Sequence, residues 1–132
     1  RHKEVYRLKK EKPNLHIEIN GGIKTIEQID EHLKHVDSVM LGREIYDNPM
    51  ILTEFGKYYG NDINISRKEI IEKIIEYSKK LEEKGIRPHL FLMHTQGLFH
   101  GVRGSKFWKR EINHPKANSE TLIKLMENIE ND

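Results

Sequence analysis

Leu15-His16-Ile17-Glu18-Ile19-Asn20-Gly21-Gly22 is the stretch on which the fold turns. Its first five residues alternate apolar and polar at period two, which predicts a strand, and Asn20-Gly21-Gly22 ends it. Downstream, Thr25 with Gln28 predicts a capping box ahead of a one-sided helix carrying Ile26, Ile29 and Leu33. After His35 comes Val39-Met40-Leu41, a continuously apolar run expected of a strand covered on both faces, closed by Gly42. Helix resumes after Gly42-Arg43 and again after Pro49, through Ile51, Leu52 and Phe55. Two strands joined by one helix form a parallel βαβ unit, because a hairpin leaves no room for the helix. Two strands alone keep two unpaired edges, so a larger sheet or a closed barrel is expected around them. Upstream, Lys3 to Lys10 place Val5 and Leu8 at helical spacing, and Pro13-Asn14 stops that helix.

Beyond a polar linker at Gly60 to Ile65 the strand pattern disappears. Ser66 with Glu69 predicts a second capping box, opening a helix with Ile70, Ile71, Ile74, Ile75 and Leu81 on one face and Gly85 past its end. Pro88 suits the first turn of a helix bearing Leu90, Phe91, Met93 and Leu98. Gly101 and Gly104 bracket Val102-Arg103; Ser105 to Ile112 then reads as a basic helix, and Ser119 caps a last one with Leu122, Leu125, Met126 and Ile129. The expectation is α/β plus all-α: residues 1–59 a βαβα segment, residues 60–132 a bundle of about four helices.

The chain has 132 residues, 36% hydrophobic and 33% charged, with a mean hydropathy of −0.76. It holds no eighteen-residue apolar run, so no membrane span is expected. Cysteine is absent, which excludes disulfides, thiolate metal sites, iron–sulfur ligation and cysteine chemistry within this chain. Arg1 opens a charged helix already under way, without a secretory apolar region; the expectation is an interior start, no targeting signal and a cytoplasmic protein. The net charge of +2 conceals a segment, 84–118, with seven basic side chains, one acid (Glu111) and four histidines. Such a block is a candidate footprint for a polyanion, or else a solvated face whose counter-charges lie elsewhere.

The two glycine turns each follow a strand and precede a helix, where N–H groups unobstructed by Cβ atoms can face an anion. Asn20-Gly21-Gly22 and Gly42-Arg43 would lie on adjacent strands, and Arg43 adds a permanent cation. The same pairing binds phosphate after the last two strands of (β/α)8 barrels. Alternatively the glycines only let the chain turn, and Arg43 pairs with Glu18 or Glu44.

Three blocks carry a resemblance: Ile17-Glu18-Ile19-Asn20-Gly21-Gly22-Ile23, Asp37-Ser38-Val39-Met40-Leu41-Gly42-Arg43-Glu44-Ile45-Tyr46-Asp47-Asn48-Pro49, and Gly97-Leu98-Phe99-His100-Gly101-Val102-Arg103-Gly104-Ser105-Lys106-Phe107-Trp108-Lys109-Arg110. In order and spacing the chain resembles the C-terminal portion of the tRNA-dihydrouridine synthases, nearest the A subfamily. The resemblance implies the last two βα units of an FMN-binding TIM barrel followed by a helical tRNA-binding domain. It implies that Asn20, Gly21, Gly22, Gly42 and Arg43 hold the flavin phosphate, that NADPH is the reductant, and that a D-loop uridine (20/20a type) is reduced. Arg103, Lys106, Lys109 and Arg110 would then meet tRNA phosphates, the last three sharing one helical face. The family's acid cysteine and its lysine and histidine near the flavin ring lie upstream of the matched region, so no residue here takes a catalytic role. A barrel of this kind needs roughly 250 residues, so the N-terminal barrel portion of the same protein is an expected partner.

The remaining candidates read as structural. His32 and His35, three apart on a helix, are expected to be solvated rather than metal ligands, and no metal site is expected. His94 is expected to be a hydrogen-bonded core histidine, Met40 a core residue, and Phe107 and Trp108 anchors of the bundle.

Overall fold

A computed structural model describes residues 1–129 and divides the chain by packing into two units, Arg1–Ile45 and a second from Tyr46 onward. The first contains α1 (His2–Glu11), β1 (Glu18–Ile19), α2 (Ile26–Leu33), β2 (Ser38–Val39) and the start of α3 (Arg43–Asp47). β1 and β2 are parallel, with Glu18 opposite Ser38 and Ile19 opposite Val39, as the βαβ reading required. Backbone bonds from Ser38 to the Ile17 carbonyl and from Met40 to the Ile19 carbonyl flank this short ladder. The capping box is present in full: the Gln28 N–H donates to Thr25 Oγ1, and Gln28 Oε1 accepts from the Thr25 N–H. Ile17, Ile19, Ile23, Ile29 and Val36 are buried between the helices and the strand pair.

Both strands are shorter than expected, and Met40 corrects the expectation of a doubly covered strand: it is 41% exposed. Among the described residues the sheet has two strands, so an apolar run suited to a wider sheet keeps its outer side open. Leu33, on α2, is exposed as well. Asp37 ties the unit together. Its carboxylate accepts the Ile17 N–H at 2.8 Å and pairs with Lys9 Nζ at 2.7 Å, while Lys9 also donates to the carbonyls of Pro13 and Leu15. The Lys9 ammonium, then the Ile17 amide, hold the Asp37 carboxyl below the usual aspartate range.

The second unit contains α4 (Ile51–Tyr58), α5 (Arg67–Glu83), α6 (His89–Leu92), a 3₁₀ segment (Met93–Phe99), α7 (Ser105–Ile112) and α8 (Ser119–Glu127). Ile71, Ile75, Leu92, Leu98, Phe99, Trp108, Ile112, Ala117, Leu122 and Leu125 form its continuous core. Ser66 caps α5 through the Glu69 N–H at 3.1 Å. Past its other end Gly85, at φ 71°, allows the Ile86 N–H to reach the Leu81 carbonyl and the Gly85 N–H to reach that of Glu82, a Schellman closure.

Two expectations change here. Ser119 is the first residue of α8 and not its cap: Asn118 accepts the Thr121 N–H, and Thr121 Oγ1 accepts the Asn118 N–H. Ser119 is instead buried against Glu82, its N–H and Oγ donating to the two carboxylate oxygens at 2.9 and 2.7 Å. The helix expected from Pro88 through Leu98 tightens into 3₁₀ geometry after one turn, and Leu90 is exposed. Gly97 gives the reason. A Cβ there would sit 2.5 Å from the Asp47 carbonyl oxygen and 2.6 Å from that of Tyr46, so the segment bends to lie directly on backbone.

Candidate functional site

The first candidate site lies at the carboxyl ends of β1 and β2, which share one edge because the strands are parallel. Gly21 and Gly22 take φ of 111° and 68°, a backbone that other L-residues adopt only under strain. A Cβ on Gly22 would meet nothing within 4 Å, so the turn faces open space. Among the described residues, the N–H groups of Gly21, Gly22, Gly42 and Arg43 donate to no protein acceptor. Asn20, Gly42 and the Arg43 side chain are exposed, and Arg43 forms no ion pair with Glu18 or Glu44. The Glu18 carboxylate is engaged by Ser38 Oγ at 3.2 Å. Free backbone donors, one unpaired guanidinium and space without a side chain suit a phosphate.

What holds this turn lies nineteen residues upstream, on α1. His2 Nε2–H on α1 donates to the Gly21 carbonyl at 3.1 Å, and its ring stands edge-on to His32, centroids 4.7 Å apart. His32 Nδ1 meets the Tyr6 hydroxyl at 2.6 Å, and Tyr6 stacks on His35 at 4.1 Å. A peptide unit is planar and trans, so drawing the Gly21 C=O toward α1 aims the Gly22 N–H the opposite way. His32 is thus not solvated: it is 6% exposed. Burial first, then the nearby His2, pushes its pKa below the usual histidine range. The spacings were available as a signal, His2 with Tyr6 on one helix and His32 with His35 on another. Among the described residues no group of three His, Asp or Glu could hold a metal ion.

The second candidate site is the outer face of α7 and the turn before it. Arg103, Lys106, Lys109 and Arg110 are all exposed, and Trp108 and Ile112 fix the opposite side of the helix in the core. Arg110 Nε lies 3.1 Å from Glu111. Trp108 is the expected anchor, 2% exposed, with its indole N–H donating to the Thr95 carbonyl at 2.8 Å. Phe107 is not an anchor. One position along the helix from Trp108, it is rotated about 100° away from the core direction, is 45% exposed, and carries the Arg110 guanidinium 5.0 Å from its ring centroid. His94 also departs from expectation: it is exposed, its Nδ1 3.1 Å from the Tyr46 hydroxyl.

The whole of residues 1–132 matches the model of the dihydrouridine synthase (Dus) family. The chain belongs to that family. A tRNA-dihydrouridine(20/20a) synthase of Synechocystis sp. is 42% identical over 114 residues, covering 85% of this chain and 34% of that protein. Proteins of the same name from Haemophilus ducreyi and Shewanella oneidensis are 34% identical over 128 residues and 38% identical over 110. These matches cover 96% and 82% of this chain but only 40% and 33% of the relatives. The chain therefore spans about a third to two-fifths of the length of the Dus proteins it matches.

Proposed function

We propose that this chain is the C-terminal portion of a tRNA-dihydrouridine(20/20a) synthase. Residues 1–59 correspond in this reading to the last two βα units of its TIM barrel, and residues 60–132 to its helical tRNA-binding domain, working beside an N-terminal barrel portion in the cytoplasm. The observation that carries the reading is the pair of open glycine turns at one end of two parallel strands, in a chain of Dus family sequence.

Asn20, Gly21, Gly22, Gly42 and Arg43 would hold the phosphate of FMN. The Gly21, Gly22 and Gly42 amides supply fixed donors and Arg43 a bidentate cation. When bound, the flavin, reduced by NADPH, would supply hydride to a uracil ring of the tRNA D-loop. Arg103, Lys106, Lys109 and Arg110 would bind the tRNA backbone and set its register, since phosphate contacts position a nucleic acid without reading its sequence. The chain contains no cysteine, so a proton donor of that type is not among its residues. The chain by itself is expected to show no reductase activity and little flavin retention; stoichiometric flavin co-purifying with it would contradict this.

The exposed basic face of α7 also favours a second reading, a non-catalytic RNA-binding module. Both readings require tRNA affinity that falls as salt rises. Replacing Lys106, Lys109 and Arg110 together by glutamine should flatten the slope of log K against log salt by about two. Unchanged affinity and slope in that variant would remove the tRNA footprint.

A further inference from the structure

We propose that Phe107 stacks on one unpaired nucleobase of the bound RNA, received in the groove between α7 and α8. The proposal rests on the RNA-binding reading above and adds to it an aromatic contact that basic side chains do not supply. The groove has a volume of about 480 Å³ and is walled by Phe99, Val102, Arg103, Phe107 and Leu125. That volume falls within the range of small-ligand sites. Among its described lining residues there is no carboxylate. A second hollow that Phe107 also lines is bordered by Glu111 and Glu120 as well as Lys116 and Lys124. The two carboxylates there offset the two lysines, whereas the described lining of the first holds Arg67 and Arg103 and no carboxylate, so charge directs the strand to the first.

An exposed phenylalanine is by itself unremarkable on a protein surface. Here it stands next to Lys106 in sequence, under the Arg110 guanidinium at 5.0 Å, and beside Arg103 in the wall of one groove. Bases splayed from single-stranded RNA stack on aromatic rings while neighbouring cations take the flanking phosphates. Trp108 is excluded from this role by its burial and its satisfied indole N–H. Stacking on a π-face is tolerant of base identity, so the ligand is any unpaired nucleotide, and a continuous duplex offers none.

The test is equilibrium binding of the full chain to tRNA, to a single-stranded oligonucleotide and to a blunt RNA duplex, each across a salt series. Phe107→Ala should weaken tRNA and single-strand binding about tenfold, leave duplex binding unchanged and leave the salt slope intact. Phe107→Leu should lose as much as alanine. Phe107→Trp should retain affinity and show quenching of the new indole on addition of the oligonucleotide. Single-strand affinity within twofold of wild type in Phe107→Ala, or rescue by leucine, would overturn the stacking contact while leaving the RNA-binding reading in place. Absence of salt-dependent binding by the unmodified chain would overturn both. Unchanged far-ultraviolet circular dichroism of each variant secures the comparison.

Discussion

In the unit Arg1–Ile45 the donors open to an anion are mainly backbone amides, aimed by two left-handed glycines and a histidine holding one carbonyl, with the single Arg43 guanidinium beside them. In the unit from Tyr46 they are side-chain cations on the outer face of a helix whose inner face is locked by Trp108 and Ile112. The first arrangement depends on shape: a misplaced Cβ or a rotated peptide destroys it, whereas salt cannot move its donors. The second depends on charge: each cation is individually replaceable and screened by salt. The cores differ in the same direction. Among the described residues the helical unit has ten buried apolar residues in one cluster, whereas the glycine-turn unit gathers five around a two-stranded sheet.

The largest effect should come from glycine in the helical unit, where backbone meets backbone. Gly97→Ala would drive a methyl against the carbonyls of Tyr46 and Asp47 at 2.5 to 2.6 Å, and neither wall is a flexible side chain. A loss of about 3 kcal/mol is expected, read from denaturant unfolding followed by the emission of the buried Trp108. Gly22→Ala meets open space and bears only its positive φ, about 1–2 kcal/mol. Because Gly22 lies in the other unit, it should lower amide-exchange protection around β1 and β2 and leave the Trp108 transition in place. If Gly22→Ala shifted the Trp108 transition as far as Gly97→Ala, the separation of the units would fail.

These two glycines also mark what the sequence made legible. Gly22 follows an alternating strand and precedes a capping box, so local pattern alone located it and its neighbours. Gly97 lies within an apolar run that reads as continuous helix; its constraint comes from residues 46 and 47, about fifty positions away, and no local period carries that. The same division explains the candidate sites. The exposed cations of α7 follow from helical spacing, and so does the burial of Trp108. Phe107 was misplaced because an aromatic beside a core tryptophan is ordinarily core, and only the rotation of the helix decides which of the two faces inward. Met40 was misread because apolar sequence reports the sheet a strand is suited to, whereas exposure reports the strands around it. The His2–Gly21 bond and the burial of His32 required knowing that α1 packs on α2.

The smallest effect concerns pH and the rings behind the glycine turn. His32 is held below the ordinary histidine range by burial and by His2, and it faces Tyr6, His35 and the neighbouring Glu31. A depressed histidine binds fewer protons in the folded chain than in the unfolded one, so stability rises with pH in the interval between the two pKa values. His32 should therefore cost nothing above about pH 7, and its penalty should grow as pH falls through the ordinary histidine value near 6.5, levelling off below the folded value. Asp37, also depressed, should add a second loss only below about pH 4, where its carboxylate takes up a proton and releases Lys9. Amide exchange in α1 and α2 should accelerate from pH 7 to 5 after correction for intrinsic rates and again below about pH 4; His32→Gln should flatten the upper step and Asp37→Asn remove the lower one. The Trp108 transition should not follow the upper step, because the titrating ring lies in the other unit. A matching shift of both units would mean that the histidine cluster supports the whole chain and not the glycine turn alone.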